Sequence, residues 1–229
     1  MPARTIEIAP GVWAIRLRFV WVQAIDGDGL TLLDTGLPGS RQTIARGLAA
    51  IGRSIDEIGR IVCTHAHPDH AGGARELAGD RLEVFMHPAD IAAISAGAVQ
   101  SLSRPSRAGL LAYATPTPTR LVPLEDGVVL PILGGLRVIH TPGHTPGSIC
   151  LYAERDRILF VGDALQVTRG RLDFANAVAS TDIAAARGSV HRLADLDVDT
   201  IVFSHYEPWR HGATDALARL ADRAHSRPG

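Results

Sequence analysis

The segment from Thr64 to Gly73 carries three histidines and one aspartate within six positions and reads THAHPDHAGG. Imidazole nitrogen and carboxylate oxygen are the ligand atoms that zinc and similar cations prefer. The segment therefore predicts the core of a metal site, and the alternative is a polar turn whose histidines face water. The candidate ligands here are His65, His67, Asp69 and His70.

A predicted strand and a predicted helix flank this segment. Residues 60–63 form a short apolar run typical of a buried strand, and residues 71–78 favour a short helix. Sites in α/β proteins commonly form where strands end. Because Pro68 disfavours helix at His67, we expect the ligands on a bent loop that turns them inward.

Three further candidates each follow a predicted strand. His144 lies in the segment TPGHTPG after a strand over 136–140, Asp163 follows a strand over 158–161, and His205 follows a strand over 201–203. Taken singly, such a histidine is usually structural. The repeated placement after strand ends favours convergence on one centre.

Five motifs in this order resemble the metallo-β-lactamase superfamily: LDTG at 33–36, HAHPDH at 65–70, TPGHTPG at 141–147, VGDA at 161–164 and FSH at 203–205. The resemblance extends over nearly the whole chain. It implies an αββα sandwich, in which two mixed β-sheets lie face to face with helices on both outer faces and metals at one edge. It also implies a single domain over 1–229, with a lid or insertion at 96–119.

The same resemblance implies a dinuclear ligand set. His65, His67 and His144 would hold one metal; Asp69, His70 and His205 would hold a second; and Asp163 would bridge them. Two zinc ions are expected, with iron or manganese as alternatives. Asp34 is expected beside the metals, or as a carboxylate that satisfies turn amides, and both can hold.

The reaction that this resemblance implies is hydrolysis. A metal-bridging hydroxide would attack the carbonyl of an ester, lactone, thioester or amide in a small molecule, and Asp69 would orient or relay the proton. Asp163 stands where β-lactamases of this fold have Cys or Ser. Gln166 stands where quorum-quenching lactonases have Tyr, which weakens a lactonase assignment.

Two other functions stay open. Persulfide dioxygenases resemble the chain at 162–165 and again at 170–171, and they use one iron held by the first and third histidine motifs and the aspartate. The ligand types alone do not choose between two zinc ions and one iron. The other alternative is a catalytically idle scaffold that binds a partner.

Residues 96–119 change in character and suggest a lid. An apolar run over 108–114 lies between a basic segment and the stiff TPTPT of 115–119. We expect a lid or substrate wall that includes Leu110, Leu111 and Tyr113, and the alternative is a surface insertion without a role. Tyr113, Arg169 and Tyr206 are the candidates for substrate contact.

The remaining histidines and both cysteines are expected to be structural. Cys63 and Cys150 lie in apolar runs typical of buried free thiols, although Cys63 is close enough in sequence to be considered as a ligand. His87 is expected to be a structural residue at the start of a helix, and the residues treated as bystanders are His140, His191, His211 and His225.

The composition fits a soluble globular protein rather than a disordered one. The chain has 229 residues, of which 46% are hydrophobic and 21% charged, and a net charge of −1. This balance gives no electrostatic case for nucleic acid or an anionic membrane. Without a recognisable leader or apolar span, we expect a cytoplasmic protein. Its oligomeric state is open, a homodimer included.

The remaining elements predict two β meanders and flanking helices. The first meander covers 11–33, and the second runs from Leu121 to residue 161. Ser40 is expected to cap a helix to Ile51, residues 54–57 form a capping box, and Thr181 or Asp182 caps a helix to Leu193. A final helix covers 213–224.

Overall fold

Two β-sheets pack face to face, and helices cover the outer face of each. The computed structural model describes residues 4–27, 29–95 and 116–225. One sheet has seven strands, the other has five, and a two-stranded hairpin lies apart from both. This is the layering that the sequence predicts.

The first sheet combines an antiparallel half with a parallel half. Strands β1 to β4 pair antiparallel in sequence order, and β4 to β7 pair parallel. Its strands are β1 (Thr5–Ala9), β2 (Val12–Arg16), β3 (Trp21–Ile25), β4 (Leu30–Leu33), β5 (Ile58–Val62), β6 (Val84–Met86) and β7 (Leu121–Pro123).

The second sheet has the order β14-β11-β10-β9-β8. Only β11 and β14 pair parallel. Its strands are β8 (Val129–Leu130), β9 (Leu136–His140), β10 (Ile149–Ala153), β11 (Ile158–Gly162) and β14 (Thr200–Phe203), and the separate hairpin consists of β12 (Leu165–Thr168) and β13 (Arg171–Phe174).

The helices lie at the surface of the two sheets. The helices after β4 and β5 cover the first sheet, and those before and after β14 cover the second. They are α1 (Arg41–Ala49), a 3₁₀ turn (Ile55–Glu57), α2 (Pro68–Ala71), α3 (Ala74–Ala78), α4 (Pro88–Ser95), α5 (Ile183–Ser189), α6 (His191–Ala194) and α7 (Ala213–His225).

Side-chain alternation along the strands divides the core into three layers. On β11, Ile158 and Phe160 point into the layer between the sheets, whereas Leu159 and Val161 point toward the helices. A strand buried on both faces reads as a continuous apolar run, as ILFV does here. The strands are thereby fixed rigidly enough for their ends to hold a site.

The structure corrects several sequence-based boundaries. The predicted second meander is wrong at its start, because β7 pairs in parallel with β6 of the first sheet. A three-residue strand carries too little pattern to indicate its sheet. Strand β1 and the hairpin β12–β13 were not predicted, and the helix expected to reach Leu193 is interrupted at Val190 between α5 and α6.

The capping predictions had mixed outcomes. Ser54 accepts a hydrogen bond from the Asp56 amide, and Glu57 accepts one from the Ser54 amide, so the capping box is confirmed. Asp182 caps α5 through the Ala185 amide at 2.9 Å. Ser40 makes no such bond, since its own φ and ψ of −73° and −14° are already helical.

Some expectations fall beyond the described residues. Leu110, Leu111 and Tyr113 lie outside them, and so does most of the predicted lid at 96–119. Among the described residues, no helix has the length and apolar character needed to cross a membrane.

Candidate metal centre

The predicted ligands meet at one edge of the sandwich, where strands from both sheets end. Asp34 follows β4, the segment from His65 to His70 follows β5, and Asp163 and His205 follow β11 and β14. Backbone bonds join the two sheets at this edge: the Ile149 amide donates to the Thr64 carbonyl at 2.9 Å. The edge is therefore a rigid platform for side chains.

Three groups of side chains bring their ligand atoms within 4.8 Å of one another. All seven candidate residues belong to at least one group. The groups are His65, His67 and His144; His65, His70 and Asp163; and Asp69, His70 and His205.

Asp163 lies between the groups. Its Oδ2 is 3.5 Å from His144 Nε2 and 3.1 Å from His205 Nε2, and its Oδ1 is 3.5 Å from His70 Nε2. Asp69 Oδ2 lies 3.4 Å from His205 Nε2. The two oxygens of Asp163 thus face both halves of the cluster, as a shared ligand would.

Hydrogen bonds at the outer nitrogens orient the rings of His65 and His70. The carboxylate of Asp34 accepts from His70 Nδ1 at 2.8 Å and from Thr64 Oγ1 at 2.9 Å. Because Thr64 Oγ1 donates to Asp34, it accepts from His65 Nδ1 at 3.1 Å. Nε2 of His65, which lies 3.1 Å from His67 Nδ1, and Nε2 of His70 therefore point into the cluster, and a cation bound there takes the place of any proton on them.

The same arrangement holds His144 and His205. Ser180 Oγ donates to the Asn176 carbonyl and accepts from His144 Nδ1 at 3.3 Å. His205 Nδ1 donates to the Phe19 carbonyl at 3.2 Å. With the outer nitrogens occupied, the Nε2 atoms of both rings face Asp163.

Several buried polar atoms at the centre have no hydrogen-bond partner. They are His70 Nε2, His144 Nε2 and Asp163 Oδ1, and the side chains of His70 and His144 are 0% and 1% exposed. Leaving such atoms unpaired is costly. Cations bound among them would satisfy all three, so the residues present fit one or two metal ions.

The surroundings of His65, His67 and His144, the three-histidine group, also favour neutral imidazoles. Burial lowers the pKa of His144 to about 3, and burial together with neighbouring imidazoles lowers the pKa of His65 and His67. Metal ligands must be deprotonated. These three imidazoles are therefore neutral and ready to bind at neutral pH.

Around His70 and Asp163, in contrast, neighbouring charges outweigh the effect of burial on the pKa values. Burial by itself would lower the pKa of His70, but Asp163, Asp69 and Asp34 outweigh it and raise the pKa. Burial would raise the pKa of Asp163, but the imidazoles of His70, His205 and His144 hold it well below its usual range. The carboxylate of Asp163 is therefore ionised and available to cations.

Asp69 and His70 lie on a short helix, which corrects the predicted loop. Helix α2 begins at Pro68, and His67 occupies the N-cap position with extended φ and ψ. Proline disfavours helix at the preceding residue but suits the first helical position. The turn starting at Pro68 directs Asp69 and His70 to the group that His205 completes.

A cavity of about 440 Å³ opens beside the centre. Tyr206, one of the residues predicted to contact substrate, lines it, and its hydroxyl lies 3.5 Å from Gln166 Oε1. Arg169 does not line it and instead occupies the turn between β12 and β13 with a φ of 51°. The other lining residues include Gln166, Asn176, Leu165 and Ala179.

Among the side chains that the structure describes, His87, His140, His191 and His211 belong to none of the ligand groups, and the side chain of His225 lies outside that set. His87 stacks on His140 with centroids 3.9 Å apart, and His140 Nε2 donates to the Pro146 carbonyl. Cys63 and Cys150 are buried free thiols, and burial raises the pKa of Cys150 to about 12. Cys63 belongs to none of the ligand groups found among the described residues.

Sequence reasoning missed three residues that hold the site. Ser180 and Asn176 fix the ring of His144, as described above. Asp90 is fully buried and bonds to the two loops that carry His65, His67 and His144. Nothing in the sequence indicates these roles, since polar residues at turns and in first helical turns are common at surfaces.

Gly143 shows how tightly the His144 loop is built. Its φ is +130°, and a Cβ there would lie 2.1 Å from the Ala186 backbone nitrogen in α5. We expect Gly143→Ala to lower the free energy of unfolding by at least about 2 kcal/mol, because both the dihedral and the contact are unfavourable.

Gly188 provides the matched control, because it lies in α5, the helix that Gly143 faces. A Cβ at this position would meet nothing within 4 Å, so Gly188→Ala should raise the free energy of unfolding by about 0.5–1 kcal/mol. Urea unfolding of the metal-free proteins measures both changes. Equal stability of the two variants would contradict the packing described for the His144 loop.

Comparison with known proteins gives a consistent picture. A sequence model of the metallo-beta-lactamase superfamily matches residues 16–205. "Probable metallo-hydrolase YflN" of Bacillus subtilis is 27% identical over 94% of this chain and 93% of its own length. Human "Acyl-coenzyme A thioesterase MBLAC2" is 36% identical over 73% of this chain and 62% of its own length.

A solved structure shares the fold. A metallo-beta-lactamase family protein from Thermus thermophilus superposes with a TM-score of 0.75 at 23% identity, covering 96% of this chain and 81% of that one. At this identity the likeness concerns the fold alone. It confirms the αββα sandwich expected from the sequence motifs.

Proposed function

The chain belongs to the metallo-β-lactamase superfamily, and from this premise we propose that it is a dinuclear metal-dependent hydrolase of neutral acyl compounds, thioesters above all. The observation that carries the proposal is the position of Asp163 between two groups of ligand atoms. A single-metal site would not need a carboxylate whose two oxygens face both groups.

The ligand assignment follows the geometry. We assign His65, His67 and His144 to one metal; Asp69, His70 and His205 to the other; and Asp163 to both. Zinc suits this nitrogen and oxygen set. When bound, such ions polarise an acyl carbonyl and lower the pKa of a coordinated water to about 7.

Asp69 is the proposed proton acceptor. It lines the cavity, its side chain is 29% exposed, and its Oδ2 faces His205 Nε2 at 3.4 Å. A carboxylate at the boundary between cluster and cavity can face the cluster with one oxygen and, at the other, accept a proton and pass it to the leaving atom. Asp163 is less accessible at 16% exposed and serves to hold the cluster together.

The cavity wall favours a neutral substrate. Its polar side chains other than the candidate ligands are Gln166, Asn176 and Tyr206, and no lysine or arginine occurs among its described lining residues. Apart from the candidate ligands and the metals that they would hold, the described lining offers a substrate carboxylate no cation. Amide and hydroxyl groups instead match an uncharged acyl thioester, and a thioester is the bond type in the name of the human relative.

A second cavity also borders Asp69. It has a volume of about 230 Å³; Leu17, Phe19 and Leu37 contribute apolar surface, and Arg18 also lines it. Phe19 is 51% exposed at its rim. Both cavities border Asp69. They offer separate volumes for the acyl chain and the leaving group of a substrate.

Substrate assays with controlled metal loading test this proposal. Chelated protein should be inactive toward a panel of acyl thioesters, esters and lactones, and zinc should restore thioester hydrolysis at two ions per chain. Full activity after chelation would contradict the proposal. One iron per chain with oxygen consumption on glutathione persulfide would support the mononuclear alternative, and metal binding without any turnover would support the idle scaffold.

A further inference from the structure

Asp90 is a buried carboxylate in the first turn of α4, and it lies outside the ligand cluster. It is 0% exposed. A buried carboxylate is costly unless its oxygens are satisfied by hydrogen bonds. Its bonds therefore indicate what the residue does.

Both oxygens of Asp90 bond to the loops that carry the three-histidine group. Oδ2 accepts from the Ala66 amide at 2.8 Å and from Thr145 Oγ1 at 2.8 Å, and Oδ1 accepts from the Gly147 amide at 2.7 Å. Ala66 lies between His65 and His67, and Thr145 follows His144. One carboxylate thus joins the two segments.

The His144 loop is shaped to receive this carboxylate. A Cβ at Gly147 would lie 2.6 Å from Asp90 Cγ, so only glycine permits the approach. Thr145 is held in turn by Ser148, whose Oγ accepts from the Thr145 amide at 2.9 Å. The His144 loop is therefore shaped to hold Asp90, just as Asp90 holds the loop.

We propose that Asp90 is a positioning residue that sets the spacing between the His65–His67 segment and His144, and with it the metal affinity of the three-histidine group. Because metal affinity depends on ligands held in place by their outer contacts, loss of such a contact typically costs about 10- to 100-fold in affinity. The inference rests on the proposed metal binding and does not depend on the substrate.

Asp90→Asn is the direct test. The amide has nearly the same shape but presents its NH₂ group to the amide of either Gly147 or Ala66, so at least one bond becomes a repulsion. We expect about 10- to 100-fold weaker zinc binding, measured by competition with a chromophoric chelator. A His205→Ala background, which disrupts the second group, isolates the three-histidine group.

Two controls separate positioning from general stability. Asp126→Asn changes an exposed carboxylate that also accepts a backbone amide, that of His140, and it should leave zinc affinity unchanged. Leu48→Ala removes a fully buried side chain of α1 and lowers stability while leaving the hydrogen-bond partners of Asp90 in place. Zinc affinity as weak in Leu48→Ala as in Asp90→Asn would overturn the proposal.

Thr145 supplies a second variant in case Asp90→Asn does not fold. Thr145→Val removes the hydroxyl that bonds to Asp90, and Thr145→Ser keeps it. Weaker zinc binding in Thr145→Val, restored in Thr145→Ser, supports the proposal. Unchanged affinity in folded Asp90→Asn, or in Thr145→Val, overturns it. If the unmodified protein bound no zinc, the proposed function would fail as well.

Discussion

Asp163→Asn is expected to reduce kcat/KM for acyl thioesters by roughly a thousandfold or more, because the supply of hydroxide at neutral pH depends on the bound metals. Both oxygens of Asp163 lie 3.1–3.5 Å from imidazole Nε2 atoms of the cluster. An amide offers one oxygen and no charge. We therefore expect the metal content per chain, measured by elemental analysis, to fall together with activity.

Asp173→Asn is the control for this prediction. Asp173 lies on β13, where its Oδ1 accepts from Arg223 at 2.8 Å, and it belongs to none of the ligand groups found among the described residues. Activity and metal content should stay within about twofold of the unmodified protein, since partly exposed ion pairs contribute little. If Asp163→Asn retained full activity and metal, Asp163 could not be the shared ligand.

Asp34→Ala is expected to have the largest effect on stability. Asp34 is fully buried, accepts from the Thr64 amide and hydroxyl, and accepts from His70 Nδ1. Removing one partner of a buried charge pair typically costs about 3–5 kcal/mol. Urea unfolding of the metal-free protein should show a loss of this size.

The loss of stability in Asp34→Ala should depend on pH. Asp163, Asp69 and Asp34 overcome the effect of burial and raise the pKa of His70 above its ordinary value. The stability from the charged pair is therefore fully present below about pH 6.5 and lost as pH rises through the raised pKa. The difference between wild type and Asp34→Ala should shrink in alkaline solution.

Asp126→Ala provides the comparison for Asp34. Its carboxylate also pairs with one cation, Arg192, but it is 44% exposed. We expect a loss of less than about 1 kcal/mol, as for other exposed pairs. Equal losses for Asp34→Ala and Asp126→Ala would show that Asp34 does not anchor His70 and Thr64.

The sequence predicted the cluster better than the scaffold around it. His65, His67, Asp69 and His70 are recognisable because their chemical types crowd into one segment. The other candidates each follow a strand whose apolar run is clear, and the structure brings them together.

The misplaced elements are those whose position depends on tertiary contacts. Strand β7 has three residues, and its pairing with β6 in the first sheet follows from packing rather than from its own pattern. The helical turn at Asp69 depends on Pro68 serving as the first helical residue. Local propensity does not determine either outcome.

The supporting residues were the least predictable. Asp90 bonds to positions 24, 55 and 57 residues away, and an acidic residue in a first helical turn usually faces water. Ser180 reaches His144 across 36 residues. Only the fold brings these groups into contact, so no local pattern could indicate them.

X-ray diffraction at the zinc absorption edge, from crystals of the zinc-loaded protein, tests the central claim most directly. The proposed ligand set predicts two anomalous peaks. One contacts His65, His67 and His144; the other contacts Asp69, His70 and His205; and Asp163 touches both. A peak elsewhere on the chain, or no peak among these residues, would contradict it.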